Sequence, residues 1–357
     1  MPNFKVINLP KLTDFKFQGK TVLVRIDVDV PLENGKTEDD TRIKACLPTI
    51  KYLIDQKAKV ILMGHLGRPE GKVVDELRMV LVAQKLGELL KSKIKNQKSK
   101  IQLKIQNFPV YILDENLWLL ENLRFYPGEE TNDAAFAKSL SLLGDFYVNE
   151  AFASSHREHT SIVGLPKLLP HAAGFHFIEE VENLSRVLEN PKKPVVFIIG
   201  GAKPETKLPM VAEFAKKADS VLVGGLLPTV SNIQYQISNI KNIMVAKLTA
   251  DGLDIDNESI KNFIEKIQSA GTIVWNGPMG KFEEEQRGER GTRGIAEAIA
   301  ESQAFKVVGG GDTIAALNKY ELSSKIDFIS LGGGAMLEYL VKGDLPGIKA
   351  LRCLPNI

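Results

Sequence analysis

Residues 195–207 read Val-Val-Phe-Ile-Ile-Gly-Gly-Ala-Lys-Pro-Glu-Thr-Lys. The apolar run is mostly β-branched, which suits a strand buried on both faces. Gly200 and Gly201 let the backbone turn sharply and approach a ligand closely. Pro204 fits the first position of a helix, where its missing N–H costs nothing. Lys203 and Lys207 are four apart and share a helical face. A helix N-terminus with open amides and two ammonium groups suits phosphate oxygens. Taken alone, the stretch also reads as an ordinary strand–turn–helix with solvated lysines, so its surroundings decide.

The rest of the second half repeats that rhythm. Strands are expected at Ser220–Val223, Asn242–Ala246, Thr272–Val274, Phe305–Val308 and Phe328–Ser330. Helical spacing covers Glu205–Lys217, Asn257–Ser269, Thr292–Ser302, Ile314–Lys319 and Met336–Lys342. Glycine-rich turns follow several strands: Gly224-Gly225, the segment Trp275–Gly280 leading to Phe282-Glu283, Gly309-Gly310-Gly311-Asp312-Thr313, and Gly332-Gly333-Gly334. Such turns are expected to turn bare amides toward a phosphate chain. An aspartate beside one can hold Mg²⁺, and Thr313 adds a hydroxyl. No G-x-x-x-x-G-K-[ST] occurs, and no G-x-G-x-x-G is followed by an acid at the dinucleotide spacing.

The first half alternates strands (Thr21–Val28, Lys59–Met63, Leu117–Leu123, Asp145–Asn149) with helical patterns (Thr41–Gln56, Glu76–Leu90, Asp133–Leu142). Pro48 is expected to kink the first helix. This is a parallel sheet with crossover helices, and ligands of such sheets bind at the strand ends. There the polar residues gather. Arg25, Asp27 and Asp29 share one side of an alternating strand, and Arg42 opens the following helix. His65 and Arg68 lie in a glycine-bracketed loop; Arg124 follows a third strand, and His156, Arg157 and His159 a fourth. Each alone reads as a surface ion pair. Converging, they make a cationic basin for a small, multiply charged anion. His156 and His159 lack a third metal ligand. The six lysines between Lys91 and Lys104 carry no interleaved aromatics, so a solvated loop is expected rather than a nucleic-acid tract.

At 357 residues, with 44% hydrophobic and 25% charged residues, the chain suits two domains with separate cores. A net charge of +2 gives no case for nucleic-acid or membrane binding. Cys46 and Cys353 form no disulfide framework, so a reducing cytoplasmic setting is expected. The N-terminal stretch has no export-type apolar core, and no segment reaches transmembrane length. Leu165–Asn190 reads as a bridge, with helical spacing over His171–Glu189 closed by Pro191 and Pro194. The fold class expected is α/β, two doubly wound parallel-sheet domains joined by a long hinge helix.

VRIDVDVPL, GHLGRPEGK, ENLRFYPGEE, NEAFASSHREHTS, GGAKPETK, TIVWNGPMGKFE, VVGGGDT and SLGGGAMLEYL follow one another along the chain. Together they resemble the phosphoglycerate kinase family over nearly the whole length. The resemblance implies a monomeric glycolytic kinase that binds no nucleic acid or membrane. Its 3-phosphoglycerate-binding domain would be 1–168, its linker helix 169–190 and its nucleotide-binding domain 191–344. The tail 345–357 would return to the first domain. It implies that Asp27, Asp29, His65, Arg68, Arg124 and Arg157 bind 3-phosphoglycerate or 1,3-bisphosphoglycerate, with Arg42 nearest the transferred phosphoryl group. ADP or ATP, with Mg²⁺, would meet Gly201, Lys203, Lys207, Gly224, Gly225, Gly310, Gly311, Asp312 and Thr313. Glu283 would meet the ribose and Asp312 the metal. Lys203 and the amides of Gly332 to Gly334, chiefly Gly333 and Gly334, would serve the transfer itself. Substrates on separate domains imply closure that excludes water.

Several residues depart from the family's pattern. Asp29 stands where asparagine is usual, and Thr206 where aspartate is usual. Leu226 follows Gly225 in place of a third glycine, and the segments 91–116 and 242–254 are short. A second carboxylate at position 29 is expected to weaken anion binding unless an arginine pairs with it. Two rivals remain: a non-catalytic descendant of the same fold, and a kinase for another small carboxylic acid.

Overall fold

A computed structural model describes residues 8–354, apart from 34–35, 38, 92–102, 106, 231–236 and 238–239. Most of the lysine-rich loop expected at 91–104 lies outside the described residues. The chain forms two α/β units. One runs to Val181 and takes in the chain again from Asp344, and the other is Glu182–Gly343. The helix Phe175–Glu189 carries the chain from the first unit into the second. Among the described residues, no helix is long and apolar enough to cross a membrane.

In the first unit seven strands are ordered Leu103–Ile105, Phe108–Asp114, Leu117–Leu120, Lys59–Met63, Thr21–Arg25, Phe146–Asn149, His171–Ala173. The five from Leu117–Leu120 onward pair in parallel, while the first two add an antiparallel edge that the sequence reading did not anticipate. Register places Arg25 between Met63 and Asn149. Parallel pairing therefore brings the segments after these strands to one edge of the sheet. Val22, Val24, Val60, Leu62 and Val148 are fully buried. Each such side chain contributes about 1.5–3 kcal/mol of apolar burial.

Two helix expectations change. Thr41–Gln56 is two helices, Thr41–Ala45 and Leu47–Asp55, because Pro48 has no N–H to give the preceding turn. His171–Ala173 is an edge strand, so the connecting helix begins only at Phe175. Its start is fixed by a buried carboxylate. Glu150 accepts from the amides of His176 and Phe177, at 3.2 and 3.1 Å, and from Thr49 Oγ1 at 2.7 Å. Burial pushes Glu150 up to about 7, against these donors. Short expected helices and strands elsewhere shift at their ends. Glu76–Leu90, for example, is a 3₁₀ turn at Asp75–Leu77 and a helix over Val80–Leu89.

In the second unit six strands are all parallel, ordered Ile243–Val245, Ser220–Val223, Val195–Ile199, Thr272–Asn276, Phe305–Gly309, Phe328–Ser330. Chain direction across the sheet reverses between Val195–Ile199 and Thr272–Asn276, the switch point where such sheets open a crevice. Both strands are buried along their whole length. In the first unit the helix Pro346–Arg352 packs beside His171–Ala173, with the Gly347 amide on the Ser155 carbonyl at 2.9 Å.

Gly174→Ala tests the cap on the connecting helix. A Cβ there would stand 1.9 Å from Glu150 Oε2, and that carboxylate is held by three donors. The expected cost is on the order of 2 kcal/mol. It would be read as a clearly lower thermal midpoint; an unchanged midpoint would show that the cap yields freely.

Candidate active site

In the first unit the strand ends bring Arg25, His65, Arg124 and Arg157 into one cluster whose charges act on one another. Arg25 is wholly buried. It donates from Nε to Ser161 Oγ at 2.9 Å, from Nη2 to His65 Nδ1 at 2.7 Å, and from Nη1 to the Ile26 carbonyl. Arg124 arrives through an abrupt strand end. Asn122 accepts from the Arg124 amide and opens a 3₁₀ turn. The Arg124 side chain is 2% exposed and donates to the Gly67 carbonyl at 2.6 Å; its Nε lies 3.2 Å from Glu130. Its Nη2 is buried with no hydrogen-bond partner among the described residues.

The field these groups make is visible in their neighbours. Burial, then Arg25, Arg124, His159 and Arg157, hold His65 well below the usual histidine range. Burial, Arg124, Arg25 and Arg157 push His159 down to about 3. Arg124 itself is lowered by burial and by Arg157. An arginine nitrogen left without a partner among the described residues at this depth, as Arg124 Nη2 is, favours an anion with oxygens to share.

Asp29 has a use that sequence does not show. Its Oδ1 accepts the Gly67 amide at 2.9 Å, its Oδ2 lies 3.7 Å from His65 Nε2, and its carbonyl accepts from Arg42 at 2.8 Å. Among the described residues, the carboxylate thus pairs with a loop amide and no arginine. Asp27 is nearly buried, Arg42 and Arg157 are half-buried, and Arg68 is exposed. Sequence reasoning put Arg25 on the same side as Asp27 and Asp29 but did not include it in the site. It also passed over Glu129 and Ser161, which come from the short helical turns Pro127–Glu130 and Thr160–Gly164.

In the second unit the glycine turns interlock. The Gly201 amide bonds the Pro278 carbonyl at 2.8 Å, the Gly224 amide Ile199 at 3.0 Å, and the Gly225 amide Met279 at 3.0 Å. This corrects the expectation that these amides are bare. The glycines serve close approach: a Cβ on Gly225 would stand 2.3 Å from the Gly201 nitrogen. Trp275 Nε1 donates to the Gly277 carbonyl, and Thr313 Oγ1 accepts the Gly277 amide at 2.7 Å. Thr313 is fully buried, so it braces this turn. The Gly332 amide is likewise taken, by Ser330 Oγ at 3.1 Å. The amides of Gly333 and Gly334, at the start of the helix Gly334–Lys342, have no bond among the described residues.

A cavity of 360 Å³ opens beside these turns. Gly225, Leu226, Leu253, Pro278 and Met279 give it an apolar wall, and Glu283 and Asp312 line it as well. Asp312 lies in the first turn of the helix Gly311–Lys319, with Gly310 before it at φ 98°. Lys207 is held by the carbonyls of Gly200, at 2.6 Å, and Asn276, at 3.4 Å. Burial lowers it to about 8; Asp312 opposes the shift and Lys203 adds to it. Lys203 is exposed at the N-cap of Pro204–Ala215, where Thr206 bonds its carbonyl at 3.0 Å. This unit therefore pairs an apolar slot, lined also by the carboxylates of Glu283 and Asp312, with Lys203 and Lys207 nearby.

Comparison with known proteins covers both units. The family model described as "Phosphoglycerate kinase" matches residues 12–237 and 229–343. The phosphoglycerate kinase of Moorella thermoacetica is 38% identical over 386 residues, covering 95% of this chain and 98% of its own. That of Borrelia garinii is 38% identical over 392 residues, covering 97% and 100%. Among solved structures, phosphoglycerate kinase from Coxiella burnetii superposes with a TM-score of 0.78 at 34% identity, covering 96% of this chain and 99% of that one. The Pyrococcus horikoshii enzyme gives 0.80 at 31% identity, covering 96% and 98%.

Proposed function

Because this chain belongs to the phosphoglycerate kinase family, we infer that it transfers a phosphoryl group reversibly from 1,3-bisphosphoglycerate to ADP, yielding 3-phosphoglycerate and ATP in glycolysis. The observation that carries this reading is a match to one family running through both units; the basic cluster of the first and the lysine-flanked cavity of the second support it. The proposed compartment is the cytoplasm and the proposed state a monomer.

The acid substrate is assigned to the cluster of Arg25, His65, Arg124 and Arg157, together with Asp27, Asp29 and Arg68. Arg124 Nη2 supports this, since a phosphate or carboxylate oxygen would supply the partner it lacks. The nucleotide is assigned to the cavity beside Gly201 and Gly225. Its base would lie on the wall of Leu226, Leu253 and Met279, its ribose toward Glu283, and its phosphates toward Lys203, Lys207 and the turn at Gly310–Thr313.

The family acts on nucleotide with Mg²⁺, which when bound offsets charge on the terminal phosphates. Asp312 fits that ion: its carboxylate lines the cavity and makes no hydrogen bond among the described residues. No group of three or more His, Cys, Asp or Glu side chains is placed to hold a metal among those residues. One carboxylate, with phosphate oxygens and water completing the shell, is usual for Mg²⁺.

When ATP is the donor, the attacking carboxylate of 3-phosphoglycerate is already ionised near neutrality. In the other direction the terminal phosphate of ADP attacks as an anion and the carboxylate leaves, so no general base is needed either way. What remains is alignment and spreading of charge on the equatorial oxygens. Arg42, Lys203 and the open amides of Gly333 and Gly334 are assigned to that task. Tethering Arg42 to the Asp29 carbonyl supports its placement beside the acid.

A coupled assay for ATP formation from 1,3-bisphosphoglycerate and ADP tests the reading; no turnover at saturating substrates would contradict it. Arg42→Ala is expected to lower kcat by at least about 100-fold while leaving the fold intact. A second expectation concerns pH. Lys207 is charged below about 8 in the free protein, and bound phosphates raise its affinity for a proton. ADP affinity should therefore hold steady below that point and fall above it, by at most about tenfold per pH unit, with proton uptake on binding. Calorimetry in buffers of different ionisation enthalpy reads the uptake; constant affinity from about pH 7 to about pH 9.5 would exclude Lys207 as a phosphate ligand.

A further inference from the structure

Behind His65 lies a buried chain of contacts. Arg25 donates to His65 Nδ1 at 2.7 Å and, from Nε, to Ser161 Oγ at 2.9 Å. Ser161 in turn donates its hydroxyl to Glu129 Oε1 at 2.6 Å and its amide to Oε2 at 3.0 Å. Glu129, Ser161 and Arg25 are each 0% exposed. Tyr147 fixes the serine from the other side, donating to its carbonyl at 2.6 Å.

The direction of this chain follows from chemistry. A guanidinium group only donates, so His65 Nδ1 must accept. The proton of a neutral ring then sits on Nε2, the nitrogen 3.7 Å from Asp29 Oδ2. Ser161 accepts from the arginine, so its own hydrogen goes to the carboxylate. Glu129 thereby answers the Arg25 charge through one hydroxyl. The other charged groups acting on His65 are Arg124, Arg157 and His159; all disfavour its protonation, as does burial. Asp29 is the acid beside it.

We propose that Glu129 and Ser161 are positioning residues which, acting through Arg25, lock His65 as an uncharged Nε2–H donor to the acid substrate. The lock is a property of the free protein; its use in binding rests on the acid-substrate reading of the pocket. Without it the ring could take either tautomer, and only one presents a donor from Nε2. A neutral donor also leaves the anion's charge to the arginines, whose charge does not vary with pH.

The test is ¹⁵N NMR of the histidine ring nitrogens in the whole protein, joined to steady-state kinetics. In the parent protein, His65 should show an unprotonated Nδ1 and a protonated Nε2, with no titration between about pH 5 and 8. A protonated Nδ1, or titration in that window, overturns the proposal without any variant. In Ser161→Ala the ring should become a tautomer mixture, and KM for 3-phosphoglycerate should rise on the order of tenfold, with KM for ATP unchanged. Ser161→Thr, which keeps the hydroxyl, should restore both. An unaltered ring signature in Ser161→Ala overturns the proposal whatever the kinetics. A locked ring in a parent protein inactive toward 3-phosphoglycerate would instead sink the substrate reading and leave the lock standing.

Discussion

A guanidinium group withdrawn from water keeps its charge, so its surroundings must supply an acceptor. In the N-terminal unit this constraint is met for Arg25 and left open for Arg124. Arg25 reaches the buried Glu129 through Ser161. Arg124 has Glu130 beside Nε and the Gly67 carbonyl on Nη1, but nothing on Nη2 among the described residues. Its neighbours are accommodated to the same field: His65 and His159 are held neutral, and Asp29 is turned onto a loop amide. On the proposed reading, an arriving anion would complete the arrangement.

On the proposed reading the second unit has a different ligand to hold, flat and partly apolar with a highly charged far end. Its interlocked glycine turns bring the ends of Val195–Ile199, Ser220–Val223 and Thr272–Asn276 backbone to backbone. The apolar wall beside them includes Leu226, which is 44% exposed and stands where the family usually has glycine. An exposed leucine at the mouth of a cavity gains from being covered by a ring. Lys207, lowered by burial, would regain favourable surroundings from the phosphates of the proposed ligand.

Much of the fold was legible because β-branched runs and glycine pairs mark buried parallel strands from local sequence alone. Most of the cationic pocket was legible too, since parallel strands send their following loops to one edge. Other features depend on partners far along the chain. The edge strand His171–Ala173 is three residues long, too short for periodicity to separate it from the helix after it. Arg25 read as one face of an alternating strand, and only the folded chain shows it bridging His65 and Ser161, 40 and 136 residues away. Glycine amides are the sharpest case. Sequence places Gly201, Gly224 and Gly225 at strand ends, but whether their N–H groups face a ligand or a neighbouring carbonyl is decided by how three turns pack.

The central claim is that the cationic cluster of the first unit, with the incompletely partnered Arg124 in it, holds the acid substrate. Titration calorimetry of 3-phosphoglycerate into the whole protein and into Arg124→Met addresses it most directly. The account predicts one site per chain, weakened by at least about 100-fold in the variant with its thermal midpoint maintained. Equal affinity in the two proteins would contradict it.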